Sequence, residues 1–230
     1  MLLPPALARM LLRLAALLLV AAPALLAPSV ARAGDEGFEA WFNPILFADL
    51  DEDTYLKFET AQRFRNADQG REDTYFFRLW AWQKLGDAMR AGAAIEKRIN
   101  DGKRDEIRAM QQVQTELGLF RVRMRLEERF AEGSGSRMGL RLRSRAGVAI
   151  PLDRARRWLL KADAESFITL RNSFPPGDIG KTALRTQVYV SHRVNERLGL
   201  RLGYLRHQEI EPAEPDVIGH APIIGLTMQL

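Results

Sequence analysis

The feature that most limits what this chain can fold into is a strict alternation of side-chain character with a period of two. Phe120, Val122, Met124 and Leu126 fall on one side, while Arg121, Arg123, Arg125, Glu127 and Arg129 fall on the other. After Gly133-Ser134-Gly135-Ser136 the pattern restarts, with Met138, Leu140, Leu142, Ala146 and Val148 on one face and Arg137, Arg141, Arg143 and Arg145 on the opposite one. A helix at 3.6 residues per turn would smear both sets around its cylinder. These runs are therefore strands with two unlike faces.

The same pattern extends along the chain. Leu56, Phe58 and Phe64 oppose Lys57, Glu59, Arg63 and Arg65, and Leu160, Ala162, Ala164, Ile168 and Leu170 oppose Lys161, Asp163, Glu165 and Arg171. Leu184, Val188 and Val190 oppose Arg185, Gln187 and Arg193, and Leu198, Leu200, Leu202 and Tyr204 oppose Arg201, Gly203 and His207. Residues 72–83, 87–98 and 105–114 are noisier strand candidates. Turn-forming clusters separate the runs. Tight links fall at 85–87, 115–118 and 195–197, and wider ones at 66–73, 100–104, 132–136, 172–181 and 209–216. Alternating short and long links suit an outer-membrane barrel, whose short turns face the periplasm. The count reaches eleven strands, whereas a closed antiparallel barrel takes an even number. Residues 38–50 are thus expected either to hold two short strands or to lie outside the closed sheet, with Pro44 at an edge or break. The fold class expected is all-β, an antiparallel transmembrane barrel of ten to twelve strands spanning 34–230.

Residues 1–33 differ from the rest. They contain no acid, carry Arg9 and Arg13 early, run apolar from Leu14 to Leu26 and close on Ala31-Arg32-Ala33. That is a secretory signal pattern, with cleavage expected between Ala33 and Gly34. The apolar run falls short of the roughly 20 residues of a spanning helix. Without this segment the chain holds 31 basic and 29 acidic side chains, net +2 with histidine neutral. The high overall pI is therefore no nucleic-acid footprint. There is no cysteine, so disulfides and thiol chemistry are excluded.

Alternation alone does not say which face is outside. The last run places Ile224, Leu226, Met228 and Leu230 at every second position, which resembles the C-terminal assembly signal of outer-membrane barrels, with Leu230 where those signals usually carry Phe. Trp41, Tyr55, Tyr75, Trp80, Trp82, Trp158 and Tyr204 lie near run ends and are candidates for interfacial girdles, against core packing as the simpler alternative. The expected location is the bacterial outer membrane, with its lipids and the barrel-assembly machinery as partners and no nucleic acid.

A series of short motifs carries a further resemblance: Trp41; Glu59 to Arg63; Glu106-Ile107-Arg108 with Gln111, Gln112 and Gln114; Arg121 to Arg129; Arg141 to Arg145; Glu165 with Phe167; and Gly203-Tyr204. In this order the chain is similar to domain-of-unknown-function family 2490 over most of 38–230. The resemblance implies an outer-membrane barrel and no particular activity.

The candidate lumen-lining set is Arg121, Arg123, Arg125, Glu127, Arg129, Arg137, Arg141, Arg143 and Arg145, with Glu59, Arg63, Glu106 and Glu165; Glu96 and Asp163 are further inward candidates. Like charges opposed on neighbouring strands are destabilising unless acids intervene, so a lumen plugged by arginine–carboxylate pairs is the first expectation. A narrow anion-selective passage is the alternative. An outer-membrane lipid hydrolase and a periplasmic lipocalin-like carrier with its apolar face inward are further ones. Adjacent Ser191 and His192 point to opposite sides of a strand and make no catalytic pair. Isolated His207 and His220 make no metal site, and no cofactor is expected.

Overall fold

The computed structural model describes residues 35–65, 73–135, 137–174, 177–210 and 215–230. The signal segment expected at 1–33, with its Ala33/Gly34 junction, lies outside the described residues. Eleven strands follow in chain order: β1 (Asp35–Asp49), β2 (Thr54–Arg65), β3 (Thr74–Lys84), β4 (Met89–Asn100), β5 (Glu106–Leu117), β6 (Phe120–Ala131), β7 (Gly139–Pro151), β8 (Trp158–Arg171), β9 (Gly180–Arg193), β10 (Leu198–Glu209) and β11 (Val217–Gln229). They close into one barrel in which each strand neighbours the next and β11 returns to β1.

Closure corrects both expectations for residues 38–50. That segment is neither two short strands nor an excluded piece; it is part of β1, which pairs with β2 on one side and β11 on the other. With an odd number of up-and-down strands the first and last run the same way, so they can only meet in parallel, and they do. The barrel is antiparallel everywhere except at this seam. Pro44 is accommodated by a local break: partners run from Phe42↔Gln62 to Ile45↔Glu59 across β1–β2, while Pro44 still lies opposite Leu226 on β11. Proline has no N–H for a second ladder. At the other end of the seam the Leu230 N–H donates to the Phe47 carbonyl at 2.9 Å, and the Gln229 side-chain amide donates to Asp49 at 2.9 Å.

The links fall into two classes by end. Residues 50–53, 85–88, 118–119, 152–157 and 194–197 join strands at one rim, and at the other rim β2 and β3, β4 and β5, β6 and β7, β8 and β9, and β10 and β11 are separated by stretches of sequence that are longer on average. The short-loop rim uses compact turn chemistry. Gly118 takes φ +62° in the two-residue link between β5 and β6, a conformation that costs glycine little. Asp51 accepts from the N–H groups of Asp53 and Thr54 at 2.8 and 2.7 Å, and Asn195 accepts likewise from Arg197 and Leu198. The Asp53 N–H, followed by Thr54, holds the Asp51 carboxyl below its ordinary range.

The two faces of the wall are chemically opposite. Every strand presents at least one exposed large apolar side chain outward, among them Phe42, Phe58, Leu79, Ile95, Phe130, Leu202 and Ile224. The apolar row Ile224, Leu226, Met228 and Leu230 belongs to this exterior. Inward positions carry charge, with Glu96, Glu127 and Glu165 fully buried. The interior is therefore not the continuous apolar cavity expected of a lipocalin-like carrier, since charged side chains occupy its middle beside smaller apolar clusters.

The seven aromatic girdle candidates divide between the two faces of the wall. Tyr75, Trp158 and Tyr204 point outward. Trp41, Tyr55, Trp80 and Trp82 are instead buried inside the barrel, in two small apolar clusters. Two of them receive guanidinium groups on their faces: Arg63 lies 4.0 Å from the Trp41 ring centroid and Arg125 lies 4.9 Å from that of Trp80.

Candidate functional site

The site is a band of ion pairs inside the barrel, and strand register explains it. Inward residues on adjacent antiparallel strands stand directly opposite each other. The ladder places Glu96 beside Arg78 on β3 and Arg108 on β5, Glu127 beside Arg141, and Glu165 beside Arg145 on β7 and Arg185 on β9. Each carboxylate then collects guanidiniums. Glu96 receives Arg78, Arg98 at 3.0 Å and Arg108 at 3.3 Å. Glu127 receives Arg141 and Arg143, both at 2.6 Å. Glu165 receives Arg123, Arg143 and Arg145, the last two at 2.8 Å, with Arg185 at 3.8 Å.

Three register pairs oppose like charges: Arg108↔Arg129, Arg123↔Arg145 and Arg125↔Arg143. Each pair shares a carboxylate, as the sequence pattern requires. Glu106 accepts from Arg129 Nε at 2.6 Å and from Arg108; Glu165 accepts from both Arg123 and Arg145. Glu127 lies 2.6 Å from Arg143 and 3.6 Å from Arg125, while the Arg125 Nε–H also donates to Gln112 at 2.7 Å. Several guanidiniums bridge two acids. Arg78 joins Glu59 to Glu96, and Arg143 joins Glu127 to Glu165. The result is a charged band made of two ion-pair networks, one from β2 to β6 around Glu59, Glu96 and Glu106 and one from β6 to β9 around Glu127 and Glu165, which adjoin on β6.

This band divides the lumen. One cavity of about 320 Å³ lies on the short-loop side, and another of about 320 Å³ lies on the long-loop side. Arg63, Arg143 and Arg185 line both and form the partition between them. Arg185 leans on the rings of Trp41 and Phe167, 4.9 Å from each centroid.

Of the sequence-selected residues, Glu59, Arg63, Glu106, Arg121, Arg123, Arg125, Glu127, Arg129, Arg141, Arg143, Arg145 and Glu165 all point inward. Arg121 and Arg129 sit towards the two mouths, where their side chains are about a third exposed (35% and 31%). Arg137 does not belong. It precedes β7, is exposed, and its Nε–H donates to the Asn172 carbonyl at 3.1 Å; the strand starts two residues later than the alternation suggests. Missing from that set are Arg78, Arg98, Arg108 and Arg185, all buried in the band. Arg185 was recoverable, since it alternates with Leu184. Arg78 was not, because its neighbours on both faces of β3 are aromatic or apolar.

Ser191 and His192 are on opposite faces, and His192 stacks on Trp158 with centroids 3.9 Å apart. Among the described residues no cluster of three His, Asp or Glu could hold a metal ion.

Comparison with known families agrees with the charged-strand motifs. The sequence profile of the family described as "Protein of unknown function (DUF2490)" matches residues 38–217. The chain belongs to the DUF2490 family. The matched span reaches from β1 to the first residue of β11, so the Glu96, Glu127 and Glu165 clusters of this DUF2490 member all lie within it. No protein of curated function matches the chain.

Proposed function

We propose that this DUF2490 protein is a bacterial outer-membrane barrel whose lumen is closed by its arginine–glutamate band, so that it does not serve as an open pore. The observation that carries this reading is the inversion of polarity, with apolar side chains outside and buried ion pairs inside. A water-soluble monomer rarely exposes a continuous apolar surface larger than a few hundred Å²; here the apolar positions encircle the barrel. Strands of 11 to 15 residues suffice to cross a bilayer at a tilt. The charged residues on the outward face support a belt with an edge: Lys97, Glu128 and Arg206 each stand three residues from the long-loop end of their strands. There a long side chain can reach the headgroups. Insertion would involve the barrel-assembly machinery acting on the Ile224 to Leu230 strand.

Closure is supported by the partition. A small barrel's interior can be filled by its own side chains, and here Arg63, Arg143 and Arg185 stand between the two cavities. The second reading, a narrow anion-selective passage, draws on the arginine content of both cavities. Purified protein in planar bilayers separates them. Closed lumens give no stepwise current at 100 mV, whereas discrete anion-selective steps overturn closure, and release of fatty acid from the same bilayer lipids indicates a hydrolase.

A further inference from the structure

We infer that the lumen cavity on the short-loop side is a binding site for a small organic anion with a flat apolar body, of the aromatic carboxylate or sulfonate class. Its volume, about 320 Å³, falls within the roughly 300–1,000 Å³ of small-molecule sites. Two walls of different chemistry face each other. On β2 and β3, Tyr55, Trp80 and Trp82 form an aromatic wall, with the Tyr55 and Trp82 rings 6.1 Å apart and 10° from parallel, and Trp80 stacked 5.0 Å from Trp82. The Trp82 indole is 3% exposed, yet its N–H has no hydrogen-bond partner among the described residues. Across the barrel, β9 and β10 supply Tyr189 and Arg201, flanked by Arg121, Arg123 and Arg145. The Arg201 guanidinium lies 5.3 Å from the Tyr189 ring centroid, and its buried Nε is also without a hydrogen-bond partner among the described residues.

The cavity lining carries many more cationic than anionic side chains, Arg90, Arg121, Arg123, Arg145 and Arg201 among them, against Glu59 and Glu116. The lining carboxylates are already engaged, Glu59 by Lys57 and Arg78 and Glu116 by Arg90 and Arg121. An anion is what the remaining donors can receive, and the aromatic wall favours one with a flat apolar part.

Inward glycines keep the space open. Each stands opposite a large lining side chain on the next strand: Gly92 opposite Trp82, Gly203 opposite Tyr189 and Gly225 opposite Arg201. A Cβ at Gly92 would come within 2.7 Å of the Trp82 ring, one at Gly225 within 2.8 Å of Arg201 Nε, and one at Gly203 would collide with Tyr189. The large side chains can therefore lie flat against the barrel wall over glycine instead of filling the lumen. The cavity leads to the short-loop mouth, where Phe47, Tyr55, Arg90, Arg121, Tyr189 and Arg201 also line the opening. The inference rests on the closed-lumen reading in one respect: the partition makes this cavity a dead end, so a ligand rests there and does not pass through.

The test is calorimetric titration of the full-length, detergent-solubilised protein with benzenesulfonate, benzenesulfonamide and inorganic sulfate. Saturable one-to-one binding of benzenesulfonate is expected, at least tenfold tighter than either control. Arg201→Gln and Trp82→Leu, on opposite walls, should each weaken it at least fivefold while the protein stays heat-modifiable on gels. Sulfonamide binding as tightly as sulfonate removes the anion, and sulfate binding as tightly removes the aromatic wall. No saturable heat, or two folded variants that bind like the original, overturns the site. If neither variant folds, the three-ligand comparison decides alone. Conductance of the same preparation reports separately on closure, so an open lumen and a missing site give different results.

Discussion

The arc of wall from β2 to β9 and the arc formed by β10, β11 and β1 enclose the same lumen by different means. The first is stitched by carboxylates that each hold several guanidiniums. The second is packed by Trp41, Leu205, Ala221 and Ile223, with no charged residue at the inward positions of β11 from Gly219 to Thr227. Only the second arc contains the parallel seam. Parallel pairing is slightly less stable per residue, and the seam joins the two strands furthest apart in sequence. Apolar side chains impose no demand for a particular partner before closure, whereas half of a buried ion network would leave uncompensated charge. The charged arc can be completed between neighbouring strands, leaving the seam to close by packing.

The largest expected effect lies in the charged arc. Glu165→Ala leaves Arg123 and Arg185 without their carboxylate and strips Arg143 and Arg145 of one partner each. Breaking a buried pair costs about 3–5 kcal/mol, so the urea midpoint in lipid vesicles should fall by a large fraction or the barrel should fail to insert. A shift no larger than that of a surface substitution would mean that water in the lumen already screens these charges.

The exterior should show no such asymmetry, since both arcs share one apolar belt. Leu79→Arg on β3 and Ile224→Arg on β11 sit mid-strand with 52% and 53% exposure. Each is expected to cost roughly 2–4 kcal/mol in a bilayer, and the two values should agree within error. A cost at Leu79 alone would break the symmetry of the belt.

Inside the seam, Ile223→Val removes one methyl from a side chain that is 2% exposed and should cost about 0.5–1.5 kcal/mol. Combined with a substitution at Glu165 its effect should be close to additive, because Ile223 reaches Glu165 through Trp41 and Arg185 and not by direct contact. Measurable coupling would show that closure and the ion network are one cooperative unit.

The smallest effect belongs to the rim. The Asp51 carboxyl is held below its ordinary value by the turn N–H groups, so its contribution is complete above the unfolded pKa of about 3.9 and is lost as pH falls through the lower folded value. Asp51→Ala should lower the thermal midpoint slightly at pH 7. The difference from the unaltered protein should vanish in the most acidic range, and a difference that persists there would exclude the carboxylate as its source.

How far the sequence is legible follows the same division. The arginine rows of β6 and β7 contrast with outer faces that are apolar apart from Glu128 and Ser144, so period two is visible and their direction correct. On β3 the inner face holds Phe76, Trp80 and Trp82 around Arg78, and the outer face holds Tyr75, Phe77 and Leu79. Both faces are apolar there, the contrast disappears, and the interior tryptophans pass for girdle residues. Partner choice is also illegible locally. Glu165 meets Arg123 from 42 residues away, and that contact depends on the registers of β6–β7 and β7–β8, which no single strand encodes. The seam was hidden for a topological reason, since one parallel pair resolves an odd strand count only once the sheet has closed.

The most direct test is the polarity of the wall in lipid, and the absence of native cysteine makes it clean. Nitroxide labels on single cysteines at Leu79, Ile95, Leu202 and Ile224 are compared with labels at the inward Asn43 and Gln114 in vesicles. Outward labels should be relaxed by oxygen and shielded from a water-soluble nickel complex, and inward labels should show the reverse or be shielded from both. Outward labels that the nickel complex reaches freely, on protein that does not float with the vesicles, would contradict a membrane barrel.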